Sequence, residues 1–554
     1  MAERKTGPIN HWAWGAGDLV GAGITAVTSG WLIYFYTTFC GLTAVAAGGL
    51  FGISRIFDAF TCPLIGYISD NLRHTWVGRH IGRRKIFLLI AIPLLPSFAL
   101  MWVSGQTFLY YLCTYLFFEL VYNFVLIPWE TFPAEMSDDY KEKAKFAGAR
   151  ILCAQASAML ASYLPTVIIN YLGKDSATTF LINGAIFGGL ASLVILLSVI
   201  FTWERPYTDE EKLITPKPLD FEEAAMIPIN VFRDLFSTLR IKAFRQHLSI
   251  YLGGYISQDI FNGAFAIFVA VVMMGTAAAT QVISQMLTTM YFFQFLSVMV
   301  AIRVVMRAGP TRAYGMAIAS FIVSCAMYYV FYSTAHNGFA EGLSAVSKNI
   351  FSTLNPLGHD IGFNLGTFHV TLLQKSPIGF EPVFLFWLFV PVIFAGLGRG
   401  TLNYVPWSVY NYLPDVDEAV TGQRREGIFA GVMTLVRKLS QAIAIAAAGW
   451  LIDKGGYLPT PKDHPPIHQT PEAVHTIVLV MCLGPAVIML LGLIVALRFK
   501  LNSKSHAVLM GEVERLRNGA TEPETPESGK IVEELTGWKY ADLWGRKKAR
   551  QAQA

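Results

Sequence analysis

Arg55 and Asp58 lie one helical turn apart in the middle of an apolar run, "RIFDAFTCPLIGYISD", with Thr61 and Cys62 just after them. An arginine and an aspartate three residues apart share a helix face and can pair. The chemistry on offer is capture of a proton or a cation by a carboxylate with a hydroxyl and a thiol nearby. Other ionisable residues sit at similar depth in similar runs: Asp18, Glu119, Glu130, Arg150, Asp259 and Lys438. In hydrocarbon each costs about 2.5–3.5 kcal/mol, and the set together on the order of 20 kcal/mol. Folded proteins are stable by only about 5–15 kcal/mol. These side chains must therefore face a protein interior or a watery cavity, and be paired there. Plainer readings exist for some. Arg55 and Asp58 could be a structural ion pair, Arg150 could snorkel to the nearby polar end of its run, and Glu130 suits packing or gating as well as ligand contact.

Aromatic residues crowd the same positions. Trp12 and Trp14 precede Asp18, Tyr122 follows Glu119 by about one turn, and Tyr404 and Trp407 share a run. Aromatic faces beside charged groups suit sugar-like ligands, whose C–H faces stack while their hydroxyls bond the charges. Trp and Tyr also mark membrane interfaces.

The elements that must hold these residues follow from composition. The chain has 554 residues, 54% hydrophobic and 15% charged, against about 25% charged in soluble domains. Its apolar runs are long enough to cross a bilayer core of about 30 Å. Spans are expected near 11–39, 43–70, 85–105, 107–135, 146–172 and 177–203, then 246–274, 281–306, 313–334, 380–412, 426–452 and 475–499. This is an all-α membrane protein of twelve spans. Residues 1–203 form one six-helix bundle, 204–245 a linker, 246–499 a second bundle with an external loop over 333–378, and 500–554 a tail. A six-plus-six layout suits a transporter of two pseudo-equivalent halves with its site near midplane between them.

One set of loops is basic: "NLRHTWVGRHIGRRK", "YKEKAK", "RVVMRAGPTR", "TGQRREG" and the 204–245 stretch. The other set holds little beyond Lys174, Lys348, Lys375, Lys454 and Lys462. The positive-inside rule makes the first set, and both termini, cytoplasmic. The N-terminus lacks the pattern of a cleaved signal peptide. The six cysteines fall in or beside apolar runs without CxxC spacing, so neither a disulfide framework nor a metal site is indicated. In the tail, Ile531, Leu535, Trp538 and Leu543 are spaced to dock on the cytoplasmic face. No nucleophile–base pair, HExxH or phosphate loop argues for an enzyme, and the tail is too short for a recognised output domain of a sensor.

The motifs "WGAGDL", "RIFDAFTCPLIGYISD", "IPWETFPAEMSDDYKEK", "FAGAR", "LPDVDE", "TGQRREG", "VRKLSQAIAIAAAGWLI" and "LTGWKYADLWG" together resemble the glycoside–pentoside–hexuronide:cation symporter family. That is the melibiose-permease-like branch of the major facilitator superfamily, and the resemblance spans about residues 10–545. It implies the major facilitator fold, a monomer in the cell (inner) membrane, alternating access, and cation-coupled symport of a sugar, glycoside or uronide. It implies no cofactor and no nucleic-acid partner. By position, Asp18 and Arg150 resemble sugar-contacting residues, Lys438 a span-11 lysine near the same cavity, and Asp58 the first carboxylate of the cation site. Glu119, Tyr122, Asp259 and Trp407 complete the expected substrate-binding set. Thr61 and Asn123 join Asp58 in the expected coupling set. The loop after span 2 resembles the superfamily signature, so Asp70, Arg83 and Arg84 are expected gating residues, with a static basic rim as the plainer reading; Arg55 and Glu130 are also expected at the gate.

Two departures matter. Sodium-using members read Asp-Ala-x-Asn-Asp-Pro, whereas here Asp58, Ala59, Phe60, Thr61, Cys62 and Pro63 stand. Sodium wants several oxygen ligands, and a thiol is a poor one. One carboxylate that gains and loses a proton suffices for proton coupling, so H+ is the expected coupling ion, with Na+ left open. In span 4, Leu126 stands where the family has a sugar-binding carboxylate. A neutral disaccharide, a glucuronide or another glycoside all remain open, as does carriage of a lysolipid or other amphiphile, which a lateral apolar opening would favour.

Overall fold

The computed structural model describes residues 6–72, 76–136, 140–172, 176–204, 226, 229, 233, 237–273, 280–334, 362–365, 368–371, 385–410, 412–422, 426–459 and 469–544. Twelve helices among them are long and apolar enough to span a bilayer. Spans 1–6 are Pro8–Thr38, Ala44–Gly66, Lys85–Trp102, Phe108–Glu130, Gly148–Leu172 and Ala177–Phe201. Spans 7–12 are Lys242–Met273, Thr280–Val305, Pro310–Ser333, Trp387–Thr421, Val432–Lys454 and Pro471–Leu497. The sequence-derived spans coincide with these apart from their ends. Span 10 ends in a separate short helix, Leu413–Thr421, beyond the expected limit. Most of the 204–245 linker and of the 333–378 loop lies outside the described residues. What is described of the loop is an antiparallel hairpin, β1 (Gly362–Leu365) and β2 (Phe368–Thr371), with Leu365 opposite Phe368.

Span 1 is seated in its bundle by aromatic packing. Phe35 lies 5.2 Å from both Trp102 and Phe180, centroid to centroid, and Trp31 lies 5.7 Å from Phe180. Gly184 leaves room for this, since a Cβ there would approach Trp102 to 2.5 Å. Just inside the membrane from its first helix, span 1 makes a π-helical turn over Leu19–Gly23, directly after Asp18. Such turns re-aim neighbouring side chains and occur often at functional sites. The N-terminus is pinned at Glu142, which accepts hydrogen bonds from Lys145 (2.6 Å) and Thr6 (2.6 Å) and lies 2.9 Å from His11. These bonds, Lys145 first, hold its carboxyl down at about 2. A lowered carboxyl keeps its stabilising effect above the ordinary carboxylate range and loses it only as pH falls through the lowered value.

The bundles meet chiefly where span 2 packs on span 11 and span 5 on span 8. Hydrogen bonds between them form a ladder from the end opposite the termini down to midplane. Asp453 of span 11 accepts from the backbone N–H groups of Ala44 (3.0 Å) and Val45 (2.9 Å), capping span 2. Tyr34 meets Thr280 at 3.3 Å, Gln281 donates to Asn170 at 3.4 Å, Ser284 donates to the Ser162 carbonyl, and Gln294 donates to Gln155 at 3.4 Å. At the other end Arg150 and Glu130 keep 35% and 49% of their side chains exposed. The molecule is thus drawn shut at one end.

Glycines make that closure possible. A Cβ on Gly449 would lie 2.5 Å from the Ala44 carbonyl oxygen, and one on Gly48 3.1 Å from that of Ile445. Overpacking costs about 1–3 kcal/mol, enough to deplete the closed state about tenfold. Gly449→Val is therefore expected to open this end. Spin labels at Leu42 and Lys454 would report it as a longer distance, and an unchanged distance distribution would refute the seal.

The tail folds into two helices, Ser503–Arg517 and Pro526–Thr536. Leu535 and Leu543 are buried, with Ile531 and Trp538 packed against the same core. Arg517 pairs with Glu418, and His506 lies 2.8 Å from Asp415, so the tail is fastened to the helix that ends span 10. Glu512 binds Ser528, the N–H of Glu524 (2.9 Å) and the Tyr540 hydroxyl (2.7 Å). Burial works against its charge, but these bonds outweigh it and hold the carboxyl below its ordinary value.

Candidate functional site: three polar clusters between the bundles

Span 2 presents two faces. Ile53, Ile56 and Phe60 are exposed on the side that would meet lipid, while Arg55, Asp58 and Cys62 recur every three to four residues on the other. Asp58 is fully buried, and cations reach it from both bundles. Arg55 lies 3.4 Å away on the same helix, and the Lys438 ammonium of span 11 lies 2.8 Å away. Asn123 of span 4 donates to Asp58 at 2.5 Å and to the Thr61 hydroxyl at 3.0 Å. Cys62 lies 3.3 Å from Asp58, 3.2 Å from the Asn123 oxygen and 2.6 Å from Lys438. Arg55 also pairs with Glu119 at 2.7 Å and meets the Tyr115 hydroxyl at 3.4 Å. Two carboxylates and two cations thus close a balanced quartet, with Lys438 its only member from the second bundle.

A second cluster belongs to the first bundle. Arg150 lies 3.4 Å from Asp18 and 2.7 Å from Glu130, and its guanidinium stands 5.0 Å over the Trp129 ring. Trp129 stacks on Trp14 at 4.7 Å, and each indole N–H donates to the other's backbone carbonyl, at 2.8 and 3.0 Å. The glycines of "WGAGDLVGAG" make this possible. A Cβ on Gly17 would strike the Trp129 indole, and one on Gly21 would strike the Asp18 carboxylate. Leu126 also lies beside Gly21, so the missing family carboxylate would have stood next to Asp18.

A third cluster lies in the second bundle. Arg437 of span 11 grips Asp259 of span 7 with two bonds, 2.6 and 2.9 Å, and Gln441 adds a third at 3.3 Å. Arg437 stands 4.7 Å over Tyr255, whose hydroxyl accepts from Trp407 at 3.3 Å. Arg399 of span 10 donates to Gln294 at 3.0 Å and Asn262 at 2.6 Å, 5.7 Å over Tyr291.

The expected residues therefore sort differently from the expectation. Asp18 and Arg150 come together, as do Asp58, Thr61 and Asn123. Glu119, expected among the substrate contacts, is 1% exposed and committed to Arg55. Tyr122 is buried against span 1, bonding Thr25 at 3.1 Å and the Gly21 carbonyl at 3.3 Å. Arg55, expected at a gate, belongs to the Asp58 quartet. Lys438 also joins that quartet, whereas Asp259 and Trp407 lie in the second bundle's own cluster. Glu130 joins Arg150. Arg84 bonds Glu135 at 2.6 Å, Arg83 pairs with the same carboxylate, and Glu204 caps the N–H groups of Arg83, Arg84 and Lys85 at 2.9–3.1 Å. These ties stay within the first bundle. Asp70 sits on the last turn of the Ala44–Asn71 helix, and its side chain lies outside the described residues. Arg399 and Arg437 were missed. Arg399 interrupts an apolar run just as Asp18 does, so the same signal was present. Arg437 was hidden by its neighbour Lys438.

Residues 13–503 match the model of the MFS/sugar transport protein family. The chain belongs to that family, the glycoside–pentoside–hexuronide:cation symporters. It is 24% identical over 539 residues to an uncharacterized symporter, sll1374, of Synechocystis, covering 89% of this chain and 94% of that one. It is 22% identical to a glucuronide carrier protein homolog of Escherichia coli, covering 90% and 93%. A crystal structure of a D-xylose-proton symporter shares the fold with a TM-score of 0.51 at 11% identity, covering 88% and 96%. The protein is a multi-pass membrane transporter of the sugar-transporting class with the major facilitator fold, and not an enzyme.

Proposed function

We propose that this transporter is a proton-coupled symporter of a sugar or glycoside, working by alternating access in a bacterial inner membrane with both termini cytoplasmic. In that orientation the end sealed by Asp453, Ala44 and Val45 faces away from the cytoplasm. The observation that carries the coupling assignment is Asp58 held between Arg55 and Lys438. A hard cation needs several oxygens. Around Asp58 it would meet a thiol, one amide, the Thr61 hydroxyl and two fixed positive charges, with the Lys438 ammonium already against the carboxylate. A proton has no such requirement. On binding Asp58 it cancels the charge that holds Lys438 and so releases a tie between spans 2 and 11. The substrate face is supported by Asp18 and Arg150, a charged pair for hydroxyls, with Trp129 buried on Trp14 beneath the Arg150 guanidinium and holding it in place. Relatives named for a glucuronide and for isoprimeverose support the sugar class over an amphiphile. Both bundles and all three clusters come from one chain, so a monomer suffices.

Uptake into proteoliposomes decides the matter. Glycoside accumulation is expected under an imposed pH gradient and to be indifferent to sodium. Accumulation that requires a sodium gradient would overturn the coupling assignment.

A further inference from the structure

The three clusters differ in charge. The quartet of Arg55, Lys438, Asp58 and Glu119 is balanced, and Arg150 faces Asp18 with Glu130 half-exposed at the rim. The second bundle's cluster holds two guanidinium groups, Arg399 and Arg437, against one carboxylate, Asp259. Asp259 is spent on Arg437 through two short bonds. Arg399 is 5% exposed; among the described residues its hydrogen bonds go to the neutral amides of Gln294 and Asn262, it stands over the Tyr291 ring, and it shares the field of the single Asp259 carboxylate with Arg437. An arginine at membrane depth normally finds a carboxylate or lines a path for an ion. A surplus positive charge in a low-dielectric interior is costly until an anion arrives.

We propose that the Arg399–Arg437–Asp259 cluster receives an anionic group of the solute, a carboxylate, so that the transported glycoside is an acidic one of the uronide class. The proposal rests on the sugar-carrier reading above and narrows it. Three further features agree. Gln294, which holds Arg399, also bonds Gln155 of the first bundle, so the cluster lies at the seam between the halves. The Arg437 side chain keeps 19% of its surface exposed, giving an acid a place to arrive. Trp407, 44% exposed, is tied to Tyr255 beneath Arg437 and supplies an apolar plane next to the charge. The other wall carries two carboxylates, Asp18 and Glu130, around the single cation Arg150, so it is net negative and suits hydroxyls better than an acid. A uronide would therefore bind in one orientation, acid towards the second bundle and hydroxyls towards the first.

The test compares methyl β-D-glucuronide, methyl β-D-glucoside and glycerate, a sugar-free hydroxy acid, by calorimetric titration of the purified full chain. The native protein is expected to favour the glucuronide over the glucoside by about 10–100-fold, the range conferred by hydrogen bonds to charged groups. Gln294→Glu places a carboxylate against Arg399 without removing a cation, and is expected to bring the ratio close to unity. Asn262→Asp, which supplies the same charge from span 7, should do likewise and guards against a local defect of one variant. The ratio is the readout, not either affinity alone. Equal binding of both glycosides by the native protein overturns the anion site and leaves the sugar reading standing. A ratio that survives both variants also overturns it. Glycerate binding without either glycoside, abolished by Gln294→Glu, supports the anion site and overturns the sugar reading. No binding of any of the three overturns both.

Discussion

Asp58→Asn is expected to abolish uphill accumulation while leaving exchange of solute across the membrane intact. One pH unit corresponds to about 1.4 kcal/mol per proton. A gradient of about 2 units therefore drives about 100-fold accumulation at one proton per solute, and the variant should fall to a ratio of about one. The reason is local. Asn keeps the size of the side chain and can still bond Asn123, but it carries no charge for Lys438 and gains no proton. The tie between spans 2 and 11 is then permanently in its neutral form. Accumulation by Asp58→Asn at the native level would show that the coupling proton binds elsewhere. Glu119 would then be the next carboxylate to replace, being the other acid of the same quartet.

Arg55→Leu should be the most destabilising single change in the first bundle. Arg55 is buried, pairs with Glu119 at 2.7 Å and Asp58 at 3.4 Å, and stands 5.0 Å over Phe51. Its removal leaves Glu119 buried without a cation, a loss of about 3–5 kcal/mol for a broken buried pair. Replacing both partners by apolar residues of similar volume is often neutral or stabilising. The double variant Arg55→Leu/Glu119→Leu should therefore recover most of the lost thermal stability. A double-mutant cycle in detergent measures the coupling directly, and additive losses would mean that the two side chains do not depend on each other.

What the sequence determined by itself is what depends on short windows of chain. Insertion of a helix answers to about 20 consecutive residues, so the twelve spans and the placement of Asp18, Asp58, Glu119, Asp259 and Lys438 within them were legible. So was the thiol at Cys62, because it is a matter of residue type. What only the tertiary structure decided is which charge faces which. That depends on the rotational phase of each helix and on how the bundles meet. Lys438 reaches Asp58 because span 11 packs on span 2 through Gly48 and Gly449. Glu119 turns to Arg55 because span 4 presents that face to span 2. Arg399 ends among amides because span 10 faces spans 7 and 8 there. Hydropathy is blind to all three, since it counts how apolar a turn of helix is and not where that turn points.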